Sequence, residues 1–269
     1  MKQLFTVLVL TLFCAGLSAQ DTRKNQNTRK SKKKERINAM IKAEEEGVIA
    51  YKKHWAAGAK LTTDGYGIFF EKGIAKSVKK AMLFQLEIDE RKNQKEYKQN
   101  IPGSTGFPII YGKINFFYPV KLGFQQQFLL GNKSNKNGVS ITANVGGGIS
   151  IGLLRPYLIN MEDSTGVTRD MRYDSPDDRY YFVNAYLDPT ASGPGLGKGW
   201  KYLKVTPGLY LKTALRFDYG RYDEVLKALE VGLTGEFYSK KIPQMIDIKQ
   251  KQFFFGAYFA LTVGKRKAK

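Results

Sequence analysis

Few residues in this chain have the types and spacing that chemistry requires. The sole histidine, His54, stands beside Trp55. One imidazole supplies neither a His-based triad nor a His-rich metal site, so a polar wall position is its expected role. The sole cysteine, Cys14, lies in an apolar leader, which leaves the mature chain without a thiol nucleophile, a thiolate site or a disulfide. "GPGLGKGW" (Gly193 to Trp200) has the glycines of a phosphate cradle. No Ser or Thr follows Lys198, and no Gly stands at the earlier required position, so a flexible loop is expected instead. "YDSPDD" offers Asp174, Asp177 and Asp178 as oxygen ligands for Ca²⁺, but without the spacing of a known calcium loop. A solvated acidic turn is expected there. "DST" (Asp163 to Thr165) has the pattern of an O-glycosylation acceptor. These residues predict no catalysis, no cofactor and no metal.

What remains is a set of charges whose meaning depends on the elements that hold them: Lys60, Glu71, Glu87, Lys121, Lys212, Arg216, Glu230 and Glu236. Each sits in a run that alternates with a period of two, the strand template. Trp55, Ala57, Ala59 and Leu61 alternate with His54 to Lys60; Tyr66, Ile68 and Phe70 with Gly67 to Glu71; Phe84, Leu86 and Ile88 with Leu83, Gln85, Glu87 and Asp89. Further runs cover Phe116 to Phe128, Val139 to Ile151, Val205 to Phe217 and Leu229 to Phe237. An eighth sets Phe253, Phe255, Ala257, Phe259, Leu261 and Val263 against Phe254, Gly256, Tyr258, Ala260 and Thr262. Eight two-faced strands of about ten residues predict an all-β, eight-stranded antiparallel barrel.

The polarity of the faces predicts which way they turn. A barrel of about eight strands has an interior that side chains just fill. Opposed Lys/Arg and Glu spaced by Gly and Ser suit that interior as a paired network, because buried charge is tolerated only when partnered. The bulky row, including Trp55, Phe84, Phe124, Leu211, Phe253, Phe255 and Phe259, then faces lipid.

Residues 1–19 carry a Lys2 n-region, an apolar run from Leu4 to Phe13 and small residues before Gln20, the pattern of a secretory signal peptide. Residues 20–48 form a basic tail, disordered or partly helical around "INAMIKAEEE", and the barrel is expected over 49–269. The tail residues Arg29, Lys30, Lys32, Lys33, Lys34 and Arg36 are candidates for docking on an acidic partner or anionic surface. The formal charge of +20 would suit nucleic acid in a cytosolic protein, but export and a tail without aromatics exclude it as a partner.

From Tyr51 to about Lys267 the chain resembles the small eight-stranded outer-membrane β-barrels, of OmpA/OmpX-like size. The leader ending "SAQ", the Lys-rich turns and the final "GKRK" resemble Bacteroidota members. Phe254, Gly256, Phe259 and Leu261 are similar to the C-terminal signal read by barrel-assembly machinery, except that the chain continues past Val263 into a basic tail. Connection lengths alternate short and long, apart from a short "TTDG", which puts both termini in the periplasm. The resemblance implies an outer-membrane, multi-pass location, with membrane lipid and other outer-membrane or periplasmic proteins as partners. It leaves activity open. A structural or accessory subunit of an insertion or secretion assembly is the expected function, and a small channel using the lumen charges is the alternative.

Overall fold

The structure, a computed structural model, describes residues 30–267 apart from 44, 46–47, 105, 132–138, 196, 220–221 and 247. The leader and Arg29 therefore lie outside the described residues, as does most of the "GNKSNKNG" turn. Eight long strands close an antiparallel barrel, each paired with the next barrel strand along the chain. They are β1 (Lys53–Thr62), β2 (Gly65–Ala75), β3 (Lys80–Arg91), β6 (Asn115–Gly131), β7 (Ser140–Pro156), β10 (Lys204–Asp218), β11 (Val225–Ile242) and β12 (Lys251–Lys267). The last of these pairs back onto the first, Lys53 facing Lys267 and Leu61 facing Phe259. No barrel strand is left as an edge.

All eight alternating runs fall on these strands. Along the closing strand, Phe253, Phe255, Phe259, Leu261 and Val263 are exposed, while Phe254, Tyr258, Ala260 and Thr262 are buried. The exposed row runs from Phe253 to Val263 between Lys251 and Lys265. At about 3.3 Å per residue and a tilt of ~40°, those ten steps span about 25 Å along the axis. That is the height of the apolar band of a membrane-spanning barrel. The apolar rows face outward.

The inward face holds large aromatics as well as charges and glycines, and cross-strand glycines make the room. A Cβ on Gly58 would lie 2.4 Å from the Phe69 ring, and one on Gly123 would lie 2.6 Å from the Tyr210 hydroxyl. Inward rings and bare backbone therefore pack as complementary pairs.

The connections differ between the two ends. At the end carrying the termini they span only residues 76–79, 132–139 and 219–224. At the other end, beside the short turn at residues 63–64, the connections 92–114, 157–203 and 243–250 knit together. The first carries β4 (Lys98–Gln99) and β5 (Ile109–Ile110), and the second carries the hairpin β8 (Leu158–Glu162) and β9 (Thr168–Arg172). The third, after β11, bridges Met245 to Lys113 of the first. The sequence showed these connections only as long or irregular. Ile101, Ile109, Tyr157, Met161, Met171 and Phe182 bury one another in a second apolar core above the barrel mouth.

The basic tail also has local structure. Residues 30–43 form α1, starting well before "INAMIKAEEE". Ile37 is buried, and with Met40 and Ile41 it gives the spacing of one apolar helix face.

Candidate functional site

The chemistry-bearing side chains converge in the lumen. Alternation sends Lys60 of β1, Glu71 of β2, Glu87 of β3, Lys121 of β6, Lys212 and Arg216 of β10, and Glu230 and Glu236 of β11 inward, each at most 2% exposed. They form one connected chain of ion pairs. Arg91, near the mouth away from the termini, lies 3.3 Å from Asp64 and 3.0 Å from Glu236. Glu236 meets Lys121 at 2.5 Å, and Lys121 reaches Asp89 at 2.6 Å and Glu87 at 2.9 Å. Lys60 pairs with the same two carboxylates. Lys212 then bridges Glu87 at 3.5 Å to Glu230 at 3.3 Å.

Arg216 carries the chain towards the termini. Its guanidinium donates two bonds of 2.7 Å to Glu71 and one of 2.8 Å to Glu230. Beyond it, Arg266 pairs with Asp218. Six buried cations (Lys60, Arg91, Lys121, Lys212, Arg216, Arg266) thus oppose six buried anions (Glu71, Glu87, Asp89, Asp218, Glu230, Glu236).

Aromatic hydroxyls and rings close the gaps. The Tyr258 hydroxyl donates to Glu230 at 2.6 Å, and that of Tyr238 donates to Glu236 at 2.7 Å. The Lys212 ammonium lies 4.6 Å from the Tyr258 ring centroid. Phe117, Tyr238 and Phe254 pack together nearer the mouth away from the termini. The cavity that remains within the barrel mouth, about 90 Å³ at the end carrying the termini, is lined in part by His54, Thr142, Arg216 and Arg266. These charges and rings occupy the lumen.

Sequence reasoning assigned eight of these charges but not Asp89, Arg91, Asp218 or Arg266. Asp89 and Asp218 sat at or just past the ends of the recognised runs, where continued alternation was the available signal. His54 sits in the lumen wall with Nε2 3.5 Å from Glu71. On the outer surface, Trp55, Phe84, Phe124, Leu211, Phe253, Phe255 and Phe259 are all exposed.

The loop candidates resolve into salt bridges. Asp174 meets Lys204 at 2.5 Å and Asp178 meets Arg169 at 2.6 Å, so two of the three carboxylates are paired, while Asp177 is exposed. Asp178 is buried at the start of α2 (Pro176–Asn184), contrary to a solvated turn. Among the described residues no three His, Cys, Asp or Glu side chains gather as metal ligands. The glycine-rich segment is anchored where it meets the barrel. Arg155 donates to the Lys198 carbonyl at 2.9 Å, and Trp200 stacks on Tyr118 at 5.7 Å. Gly199 has a φ of 96°, and a Cβ there would lie 2.6 Å from the Pro156 carbonyl.

"DST" folds as a tight turn. Asp163 accepts from the Thr165 hydroxyl at 2.5 Å, from the Thr165 amide at 2.9 Å and from Val167 N–H at 3.2 Å. Chiefly through the Thr165 hydroxyl, its carboxyl is held down at about 2. A depressed carboxylate stabilises the fold at pH above its unfolded value, and that contribution fades as pH falls through its folded value. The hairpin turn is therefore expected to hold at pH 4 and loosen towards pH 2. NMR titration of Thr165→Val should show Asp163 moving up towards the ordinary carboxylate range; an unmoved midpoint would exclude the hydroxyl as the cause.

The tail candidates divide. Lys33 pairs with Asp223 at 2.9 Å and Arg36 with Glu224 at 3.0 Å, on the turn between β10 and β11, while Lys30, Lys32 and Lys34 are exposed. The acidic partner of this segment is, in part, the barrel itself. Each pair is exposed and worth at most about 1 kcal/mol.

No family model matches the chain, and no curated protein matches it. Among solved structures it is similar to Neisserial surface protein A, at 11% identity and a TM-score of 0.36, covering 80% of this chain and 95% of that one. It is also similar to the N-terminal β-barrel domain of Pseudomonas aeruginosa OprF, at 9% and 0.34, covering 79% and 96%. Ail, the attachment invasion locus protein of Yersinia pestis, gives 8% and 0.38, covering 81% and 100%. What the chain has on its own geometry is a closed, eight-stranded antiparallel barrel with its apolar rows turned outward.

Proposed function

We propose that the chain is an outer-membrane barrel with both termini in the periplasm, acting as a non-catalytic accessory subunit of an outer-membrane assembly such as protein-insertion or secretion machinery. The observation that carries the reading is the outer cap. Its loops spend an apolar core on holding one shape, and that shape exposes Tyr97, Phe107, Tyr111, Tyr180, Tyr186 and Leu187. Tyr111 and Tyr186 meet edge-on at 5.0 Å. Rigid exposed aromatics are the composition of protein contact surfaces, where large rings gain area at little entropic cost. The filled lumen supports the same reading by leaving little for transport to use.

Mild-detergent extraction of tagged protein from native membranes, followed by mass spectrometry, tests this. A partner barrel or other protein exposed on the outer side of the membrane is expected at stoichiometric yield, reduced about tenfold or more in a Tyr180→Ser/Tyr186→Ser variant, as loss of a contact hot spot would do. A barrel that elutes alone contradicts the proposal. A small channel would need the ion-pair chain to open. A planar bilayer holding the pure protein is expected to stay silent, and steady conductance altered by Lys212→Ala or Glu230→Ala would favour the channel.

A further inference from the structure

The lumen charges cancel, so the formal charge of +20 lies outside the barrel interior. On the outer wall it is unevenly placed. At the end carrying the termini, Lys227 of β11, Lys265 and Lys267 of β12, Lys53 of β1, Lys72 of β2 and Lys80 of β3 project from the outward face of five consecutive strands. Pairing places them side by side. Trp55 stands between Lys265 on one neighbour and Lys72 on the other, and Lys53 faces Lys267. The Lys72 ammonium lies 4.7 Å from the Trp55 ring centroid.

Two features separate this arc from an ordinary solvated rim. The nearby strand carboxylates, Glu71 and Glu230, point into the lumen and are held by Arg216, while Asp223 and Glu224 of the adjacent turn face α1. No acid therefore shares the arc among the described residues of these strands. The opposite wall at the same level is apolar, with Phe128 and Leu130 of β6, Ile141 of β7 and Phe217 of β10. The arc borders the apolar band, where a tryptophan takes the interfacial level and lysine stems run along apolar surface to reach headgroups.

We propose that this arc, centred on Trp55, is a binding site for the anionic headgroups of phospholipids in the leaflet on the side of the termini. The inference rests on the membrane-spanning reading. The ligand chemistry is a phosphodiester with net negative charge, such as phosphatidylglycerol; a zwitterionic headgroup carries its own amine and leaves the lysines uncompensated. Binding on one wall only would fix which side of the barrel meets anionic lipid, and hence how the barrel is turned towards neighbours.

The chain has two tryptophans, so Trp200→Phe leaves Trp55 as the sole reporter. The full-length mature protein is placed in phosphatidylcholine bilayers containing either phosphatidylglycerol or phosphatidylcholine brominated near the headgroup end of its chains. Trp55 is expected to be quenched by about a fivefold lower fraction of the brominated anionic lipid, the weight of roughly one net lysine contact. Lys53→Gln/Lys72→Gln/Lys265→Gln/Lys267→Gln should bring the ratio to about one, whereas Lys201→Gln at the far end should leave it unchanged. Equal quenching by both lipids in the parent overturns the site while leaving the barrel reading intact. Absence of quenching by either lipid overturns the membrane-spanning reading, and the site with it.

Discussion

Replacing Arg216 with alanine is expected to destabilise the barrel by about 3–5 kcal/mol, the cost of breaking a buried ion pair by removing one partner. Among the described residues the guanidinium bonds directly to both Glu71 and Glu230, and both carboxylates are fully buried. Without it, among the described residues, Glu71 keeps His54 at 3.5 Å, and Glu230 keeps Lys212, Tyr258 and the Asn144 amide. Arg216→Lys should recover little, because one ammonium cannot reproduce a fork bonded to two carboxylates. Arg216→Met combined with Glu71→Gln should recover more than the two single changes predict together, since it removes the charge left behind. Urea titration of folding into lipid vesicles measures each of these variants. A loss of this size moves the midpoint by about 2 M. A shift below about 0.5 M would mean that water, not Arg216, solvates the two acids.

The second large effect lies on the opposite face of the same strand. Leu211 is the middle of the outward row of β10 between Val205 and Phe217, and is 72% exposed to whatever surrounds the barrel. If that surrounding is lipid, Leu211→Arg costs about 2–4 kcal/mol, while Val205→Arg near the rim costs about 0–1 kcal/mol. In a barrel surrounded by water, both changes would be neutral, as exposed surface substitutions normally are. The same vesicle-folding titration distinguishes the cases by the depth dependence. Equal, small effects at the two positions would remove the basis for a membrane-spanning wall.

How much of this was legible in the sequence follows from how far each signal reaches along the chain. A period of two is local, so the eight strands and the inward or outward direction of Lys60, Glu87 or Phe255 could be read from a few neighbours. Pairings across strands could not. Phe69, Tyr210, Tyr238 and Tyr258 look like intrusions on a polar face until their cross-strand glycines are seen. A Cβ on Gly232 would lie 2.7 Å from the Tyr258 ring, and one on Gly208 would lie 2.7 Å from that of Tyr238. The network was half visible for the same reason: Lys121 and Glu236 were each recognised as inward charges, but their contact joins strands 115 residues apart in sequence.

The cap was the least legible part. Its core joins Ile101 and Ile109 to Tyr157, Met171 and Phe182 from segments with little alternation, and short strands at such spacing leave no periodic trace. The tail misled in a different way. Its polarity argued against a fold of its own, but the acids that receive Lys33 and Arg36 lie near the far end of the chain, at Asp223 and Glu224. Composition reports what a segment can do alone, not what a distant turn offers it.

The central claim is that the apolar rows face lipid around a lumen closed by paired charge. Its most direct test is site-directed spin labelling along the closing strand. The mature chain is expected to lack cysteine, so single cysteines can be placed at each position from Phe253 to Val263, labelled with a nitroxide, and examined in vesicles for collision with oxygen and with a water-soluble nickel chelate. The account predicts high oxygen and low nickel accessibility at 253, 255, 257, 259, 261 and 263, and low values of both at the positions between them. Nickel accessibility along the odd positions, or oxygen accessibility along the even ones, would contradict it.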